Sequence, residues 1–139
     1  MILNDFIVTE EQTVLEVMKA IDNNAKGIAF VCHDNRLLGV VTDGDIRRFI
    51  LSSGDLNSLI KDIANYYPRY ITNDEVIDYD SYMRKNSITA LPEVDKDKKL
   101  LTIHFLYDYK PIGNAKLNVP VVIMAGGKGT RLYPYTQIL

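Results

Sequence analysis

The feature that most limits the fold of this 139-residue chain is an internal repeat. A helical pattern, an apolar strand, a polar turn and a second apolar strand follow Thr13, and the same order recurs from Glu75. The acidic residue that comes shortly after the second strand of the first copy, Asp45, has its counterpart in Asp108. Each copy would expose an apolar sheet face that it cannot bury alone. We therefore expect two halves that pack face to face around one core and leave a cleft between them.

The first copy combines a helix start with a predicted hairpin. Thr13 and Glu16 have the spacing of a capping box, in which a hydroxyl and a carboxylate cap the same helix end. The next helix is expected to stop at Gly54, a residue suited to the position after a C-cap. The patterns predict an entry strand or extended segment within 2–8, a hairpin of strands 28–32 and 37–41, and a helix over 45–51.

The second copy repeats this order with substitutions at the positions that matter. A short strand at 70–72 and a helix opened by 73–75 are expected, the helix facing inward through Val76, Tyr79 and Met83. Strands over 88–94 and 100–105 follow. Gly39, Thr42 and Asp45 of the first copy are replaced by Thr102, Phe105 and Asp108. Since Phe105 has no hydroxyl, it would fill space, and only the first copy should supply a complete ligand corner.

That corner lies where the strand ending at Thr42 changes directly into a helix. The backbone N–H groups of a helix start favour anions and polar ligands. Thr42 offers a hydroxyl, and Asp43 and Asp45 offer carboxylates, of which Asp45 suits the vicinal diol of a ribose. Arg47 and Arg48 follow at once and could reach a phosphate. The alternative is that Asp43 or Asp45 only caps the helix and that the two arginines form a solvated face.

These residues carry a resemblance to a known family. The string Gly39-x-x-Thr42-x-x-Asp45, with Ala90-Leu91-Pro92 in the second copy, resembles a tandem CBS domain pair, or Bateman module. The resemblance implies an α/β (α+β) fold of two β-α-β-β-α repeats with pseudo-two-fold symmetry. It also implies an adenine nucleotide in the cleft, held by Thr42, Asp43, Asp45, Arg47 and Arg48, and a homodimer. We assign 1–55 to the first repeat and 56–110 to the second.

The end of the chain has a different character. A linker over 111–118 precedes an apolar run and a glycine-rich turn, typical of a strand that leads into a phosphate-binding loop. The string Gly126-Gly127-x-Gly129-Thr130-Arg131-Leu132-x-Pro134 resembles the start of sugar-phosphate nucleotidyltransferases, which transfer a nucleotide to a sugar 1-phosphate and release pyrophosphate with Mg²⁺. The resemblance gives the cradling of the nucleoside triphosphate to Gly126, Gly127, Gly129, Thr130 and Arg131.

The chain itself contains no complete catalytic constellation, so we expect 119–139 to be the start of a longer catalytic domain. In this chain the segment should be disordered or paired with an exposed strand edge. The parent protein is expected to be the transferase. Two functions stay open for the repeats: regulation of that enzyme by a bound nucleotide, or dimerisation without any ligand.

Composition excludes several other classes of protein. The formal net charge of -2 gives no basic face for nucleic acid. No apolar run approaches the length needed to cross a membrane, and no secretion signal precedes the repeats, so a cytoplasmic location is expected. Cys32 is the single cysteine and lies in an apolar run, which predicts a buried thiol. His33 and His104 are isolated in sequence, and no metal site is expected.

Overall fold

The computed structural model describes residues 3–106, which lie within one compact unit, Met1–Asp108. Two short 3-10 turns, Leu3–Phe6 and Ile60–Asp62, accompany three helices and six strands in this part of the chain. The helices are α1 (Val14–Asn24), α2 (Asp43–Leu51) and α3 (Tyr79–Asn86). The strands are β1 (Ile7–Val8), β2 (Ile28–His33), β3 (Arg36–Thr42), β4 (Ile71–Thr72), β5 (Ala90–Val94) and β6 (Leu100–Phe105). The predictions for Asp108, for the linker and for 119–139 lie outside the described residues.

The sheets confirm the internal repeat. One sheet has the order β1-β2-β3 and the other β4-β5-β6. In each, a two-residue entry strand pairs parallel to the middle strand, and the middle strand forms an antiparallel hairpin with the last. Both hairpins carry a register shift at the same position of the repeat, close to the turn, between Val31 and Cys32 and between Glu93 and Val94. The duplication therefore extends to backbone detail.

The core between the two sheets is shared, as the repeat predicts. Apolar residues that alternate along the strands project from both sheets into it, because successive side chains of a strand point to opposite faces. Cys32 lies in this core, where burial raises the pKa of its thiol to about 11. The buried residues of the shared core are Phe6, Ile28, Phe30, Cys32, Leu37, Ala90, Val94, Leu100 and Phe105.

Helix α1 forms for the predicted reason. The Thr13 hydroxyl accepts a hydrogen bond from the Glu16 N–H, and the Glu16 carboxylate accepts one from the Thr13 N–H at 2.7 Å. The buried face carries Val14, Val17 and Ile21, which recur at helical spacing. These side chains pack with α2 and the outer face of the first sheet into a second core.

Helix α3 begins later than the sequence predicted. The helix was expected to open at 73–75, but Asp78 is its N-cap and Val76 is fully exposed. The Glu75 carboxylate accepts hydrogen bonds from the Thr72 N–H and hydroxyl instead, which holds this stretch as a turn. The expectation that Val76 faces inward is therefore wrong, while Met83 is buried as predicted.

The end of α2 also differs from the prediction at Gly54. The left-handed residue there is Ser53, with φ of 67°. Gly54 is needed for a different reason, because a Cβ at this position would lie 2.4 Å from the Phe49 ring. Ser52 is the C-cap, and its N–H donates to the carbonyls of Arg48 and Phe49, while the Ser53 N–H donates to that of Ile50.

The two halves are joined at the hairpin tips. The Leu37 N–H donates to the Lys98 carbonyl at 2.8 Å, and the Leu100 N–H donates to the Asn35 carbonyl at 2.9 Å. These backbone bonds connect the turn of one hairpin to the turn of the other. No helix among residues 3–106 is both long and apolar enough to cross a membrane.

Candidate ligand-binding site

A cleft of about 220 Å³ opens between the two halves. Its walls are apolar and come from both sheets, with the segment between the repeats at its rim. The side chains that line it are Ile28, Phe30, Val40, Thr42, Asn65, Tyr67, Pro68, Arg69, Ile88 and Ala90. A slot with apolar walls and a few polar groups at the edge is typical of sites for small planar ligands.

Thr42 lies at the rim of this cleft and starts α2. Its hydroxyl donates to the Asp45 Oδ2 at 2.7 Å, and its N–H donates to the same oxygen at 2.9 Å. The Asp45 N–H in turn donates to the Thr42 hydroxyl oxygen at 3.3 Å. Thr42 and Asp45 thus form a capping box, so the capping interpretation describes this helix start, with Thr42 rather than an aspartate as N-cap.

The charge of Asp45 is stabilised at this position. Burial alone would raise the pKa of its carboxyl, but hydrogen bonds from the Thr42 hydroxyl, the Thr42 N–H and the Arg48 guanidinium hold the pKa below its usual value. Arg48 donates to the Asp45 Oδ1 at 2.6 Å, with 25% of the Asp45 side chain and 72% of the Arg48 side chain exposed. The carboxylate is therefore ionised, anchored and still reachable by solvent.

The structure separates the other predicted site residues from this cleft. Asp43 and Arg47 line a larger groove of about 770 Å³ between α1 and α2, on the opposite side of the sheet from the shared core. Arg48 is held by Asp45 and is not among the residues that line the cleft. Of the five residues predicted for the ligand, Thr42 lines the cleft itself, and Asp45 is bonded to it.

The segment between the repeats supplies site residues that sequence analysis missed. The N–H and carbonyl of Asn65 pair with those of Val40 on β3, at 2.9 Å each. Gly39 permits this approach, because a Cβ there would lie 2.9 Å from the Asn65 carbonyl oxygen. The missed lining residues are Asn65, Tyr67, Pro68 and Arg69. The sequence signal that could have identified this segment is the cluster of three tyrosines and one arginine over 66–70, directly before the second entry strand.

The position equivalent to Thr42 in the second half is closed. Phe105 is buried, its ring centroid lies 5.2 Å from that of Phe6, and the Lys26 ammonium lies 4.7 Å above the ring. A recess of about 150 Å³ lies beside Phe6 and Phe105. The prediction that Phe105 fills space in place of the hydroxyl is confirmed.

His104 lies in a polar cluster on the other face of β6. Its Nε2 lies 2.7 Å from the Glu93 Oε2, and its ring stacks on Tyr79 with centroids 3.9 Å apart. The equivalent positions in the first half are Val31, Val41 and Val17, all buried and apolar. Within residues 3–106, no group of three or more histidine, cysteine, aspartate or glutamate side chains could hold a metal ion.

Comparison with known proteins now identifies the first half. The profile of the CBS domain family matches residues 1–52, the segment that contains β1, α1, β2, β3 and α2. Residues 1–52 are a CBS domain. The β4-β5-β6 sheet and α3 repeat the part of this arrangement that runs from β1 to β3, so the described chain has the α+β fold of a tandem CBS module.

Solved structures share this fold. A CBS domain protein from Pyrobaculum aerophilum, complexed with AMP, has a TM-score of 0.63 at 24% identity, over 72% of this chain and 79% of that one. CBSX2 in complex with AMP has a TM-score of 0.59 at 21% identity, over 71% and 79% of the two chains. The soluble part of a magnesium transporter reaches 26% identity with a TM-score of 0.59, over 72% and 40%.

Curated relatives are sugar-phosphate enzymes. The arabinose 5-phosphate isomerase GutQ of Escherichia coli O6:H1 is 31% identical over 103 residues, which are 73% of this chain and 32% of that protein. The arabinose 5-phosphate isomerase KdsD of Francisella tularensis is 31% identical over 104 residues, with the same coverage. The chain thus spans about a third of the length of these relatives.

Proposed function

We propose that the CBS module is a regulatory site for an adenine nucleotide. The observation that carries this proposal is the apolar cleft between the halves, with the anchored pair of Thr42 and Asp45 at its edge. The base would lie between the apolar walls, and the ribose would face the start of α2. AMP in the similar structures from Pyrobaculum aerophilum and of CBSX2 supports the choice of ligand.

In this proposal Asp45 accepts hydrogen bonds from the ribose hydroxyls. Its Oδ1 accepts from one Arg48 nitrogen, and a carboxylate oxygen can accept more than one hydrogen bond. The Thr42 hydroxyl fixes the orientation of the carboxylate through the Oδ2, so the ligand meets a preorganised acceptor. Phosphate contacts from Arg47 and Arg48, and a ligand contact from Asp43, remain predictions.

Isothermal titration calorimetry with AMP, GMP and CMP tests this function. We expect AMP to bind and Asp45→Ala to abolish binding. Because Asp45 also caps α2, the matched control is Glu16→Ala, which removes the equivalent carboxylate from α1, away from the cleft. Glu16→Ala should cost stability without loss of AMP binding. Absence of binding by all three nucleotides would overturn the proposal.

For the whole protein we propose a sugar-phosphate enzyme whose activity the module regulates. The string Gly126-Gly127-Lys128-Gly129-Thr130-Arg131 favours a nucleotidyltransferase that uses Mg²⁺ and makes nucleotide sugars. The curated relatives, by contrast, are named as arabinose 5-phosphate isomerases, which also act on a sugar phosphate. Assays of the full-length protein for pyrophosphate release and for aldose–ketose isomerisation separate the two. Isomerisation without pyrophosphate release would overturn the transferase.

A structural role as a dimerisation module is the alternative, and one surface favours it. The groove between α1 and α2 is bordered by Leu15, Ile50 and Leu51, of which Leu51 is 79% exposed. We propose a second copy of the chain as its occupant, since the resemblance to CBS pairs implies homodimers. Sedimentation velocity should give a dimer for the wild type and a monomer for Leu51→Glu. A wild-type monomer would contradict it.

A further inference from the structure

Arg69 is the charged side chain among the ten residues that line the cleft. It follows Pro68 on the segment between the repeats, and Asn65 fixes the start of this segment on β3. The other lining groups are apolar, or are neutral hydroxyl and amide groups. An arginine beside an apolar slot can pair with an anionic end of a ligand whose flat part occupies the slot.

The position of the Arg69 guanidinium is set by Asn86, the last residue of α3. Arg69 donates from Nη1 to the Asn86 Oδ1 at 2.6 Å. The Asn86 Nδ2 donates to the Tyr82 carbonyl at 2.8 Å, which fixes the orientation of the amide and aims its oxygen at Arg69. This bond uses one of the five N–H donors of the guanidinium and leaves its planar fork available to an oxyanion.

Arg69 also differs from Arg48 on α2 in whether a carboxylate pairs with its charge. Arg48 forms an ion pair with Asp45 at 2.6 Å. Within the described part of the chain, Arg69 forms no salt bridge with a carboxylate, since its partner Asn86 is neutral. A phosphate would therefore gain a full charge pair at Arg69, whereas at Arg48 it would compete with Asp45.

Resting on the proposed nucleotide function, we propose that Arg69 binds the phosphate of the ligand. The cleft then prefers a nucleoside monophosphate to the nucleoside. The segment between the repeats binds the phosphate, and the start of α2 binds the ribose. Arg69 thereby links both halves to one ligand, since its guanidinium is held by α3 of the second half and the ribose site belongs to the first.

Calorimetry with AMP and adenosine in parallel tests this assignment. Arg69→Gln should lower AMP affinity on the order of ten- to hundred-fold and leave adenosine affinity unchanged. Arg69→Lys should recover part of the loss, because it keeps the charge without the fork. The matched control is Arg84→Gln, which removes an exposed cation from the last turn of α3, the helix that carries Asn86. This variant should bind both ligands like the wild type.

The outcomes separate this proposal from the proposed function. An equal loss of AMP and adenosine affinity in Arg69→Gln, or no loss, would overturn the role of Arg69 while nucleotide binding stands. So would an AMP-specific loss in Arg48→Gln combined with none in Arg69→Gln. A wild type that binds neither ligand would overturn the nucleotide function itself.

Discussion

At the scale of single residues, Thr42 and Asp45 serve a structural and a candidate binding role with the same atoms. The bonds that cap α2 also orient the carboxylate proposed to meet the ligand. Thr13 and Glu16 form the same kind of capping box at the start of α1, which lies away from the cleft. The chain therefore contains an internal control that separates the cost of a lost cap from the loss of a site.

The first prediction compares the two N-caps. Thr42→Ala and Thr13→Ala should each lower the free energy of unfolding by about 0.5–2 kcal/mol, the usual cost of an alanine at an N-cap. Only Thr42→Ala should also weaken AMP binding. Urea denaturation and calorimetry on both variants measure this. Equal effects on AMP binding would mean that Thr42 acts through fold stability alone.

The second prediction concerns acid and Asp45. Since hydrogen bonds lower the folded-state pKa of Asp45, its ionised form contributes stability that is fully present above the unfolded pKa of about 3.9. That contribution disappears as the pH falls through the folded-state value. Asp45→Asn should thus be less stable than the wild type at neutral pH, and the gap should close below about pH 4. Thermal melts over a pH series measure it, and a constant gap would contradict it.

At the scale of elements, the cleft depends on a loop packed against a strand. Asn65 pairs with Val40 as if it were a short extra strand on β3. The pairing requires that the neighbouring position on β3 carry no side chain, which explains Gly39 of the family string without any ligand contact. The glycine of the string thus positions the segment, and the threonine and aspartate are the residues proposed to contact the ligand.

The third prediction tests this packing. Gly39→Ala should destabilise the module by about 1–3 kcal/mol, because its Cβ would lie 2.9 Å from a backbone oxygen that cannot move alone. Gly44→Ala is the matched control. There the nearest atom is the flexible Arg48 Nη1 at 3.3 Å, and alanine favours the helix, so stability should stay equal or rise. Chemical denaturation of both variants decides; a loss confined to Gly44→Ala would refute the account.

The internal repeat made most of the fold predictable from the sequence. The features that were not predicted depend on local hydrogen bonds and on contacts between distant residues. Periodicity identified α1, the hairpins and the Phe105 substitution. The late start of α3 was missed because Thr72 and Glu75 satisfy each other in a turn. Arg69 was missed because no period relates a loop residue to a cleft; only the contact between Asn65 and Val40 places it there.

At the scale of the whole molecule, two similar halves produce an asymmetric module. The cleft beside Thr42 is open, and its counterpart is filled by Phe105 between Phe6 and Lys26. Within residues 3–106 we therefore expect one ligand site, beside Thr42. Any cooperativity in ligand binding would have to arise between chains and not within one.

The fourth prediction follows from the closed half. Titration of the wild type should give one AMP per chain. Phe105→Ala should lower the free energy of unfolding by about 3–5 kcal/mol, as for other buried phenylalanines. Calorimetry and denaturation measure the two quantities. Two AMP molecules per wild-type chain would show that the second half also binds.

The backbone hydrogen bonds between the hairpin tips join the two halves of the module along one edge. Leu37 with Lys98, and Leu100 with Asn35, tie the two sheets together at the end where the turns meet. Because these bonds hold the sheets together at one edge, a change in the angle between the sheets would displace the far ends of the strands most. Thr42 ends β3 at the far end from the turn, so the candidate ribose contact lies where that displacement would be largest.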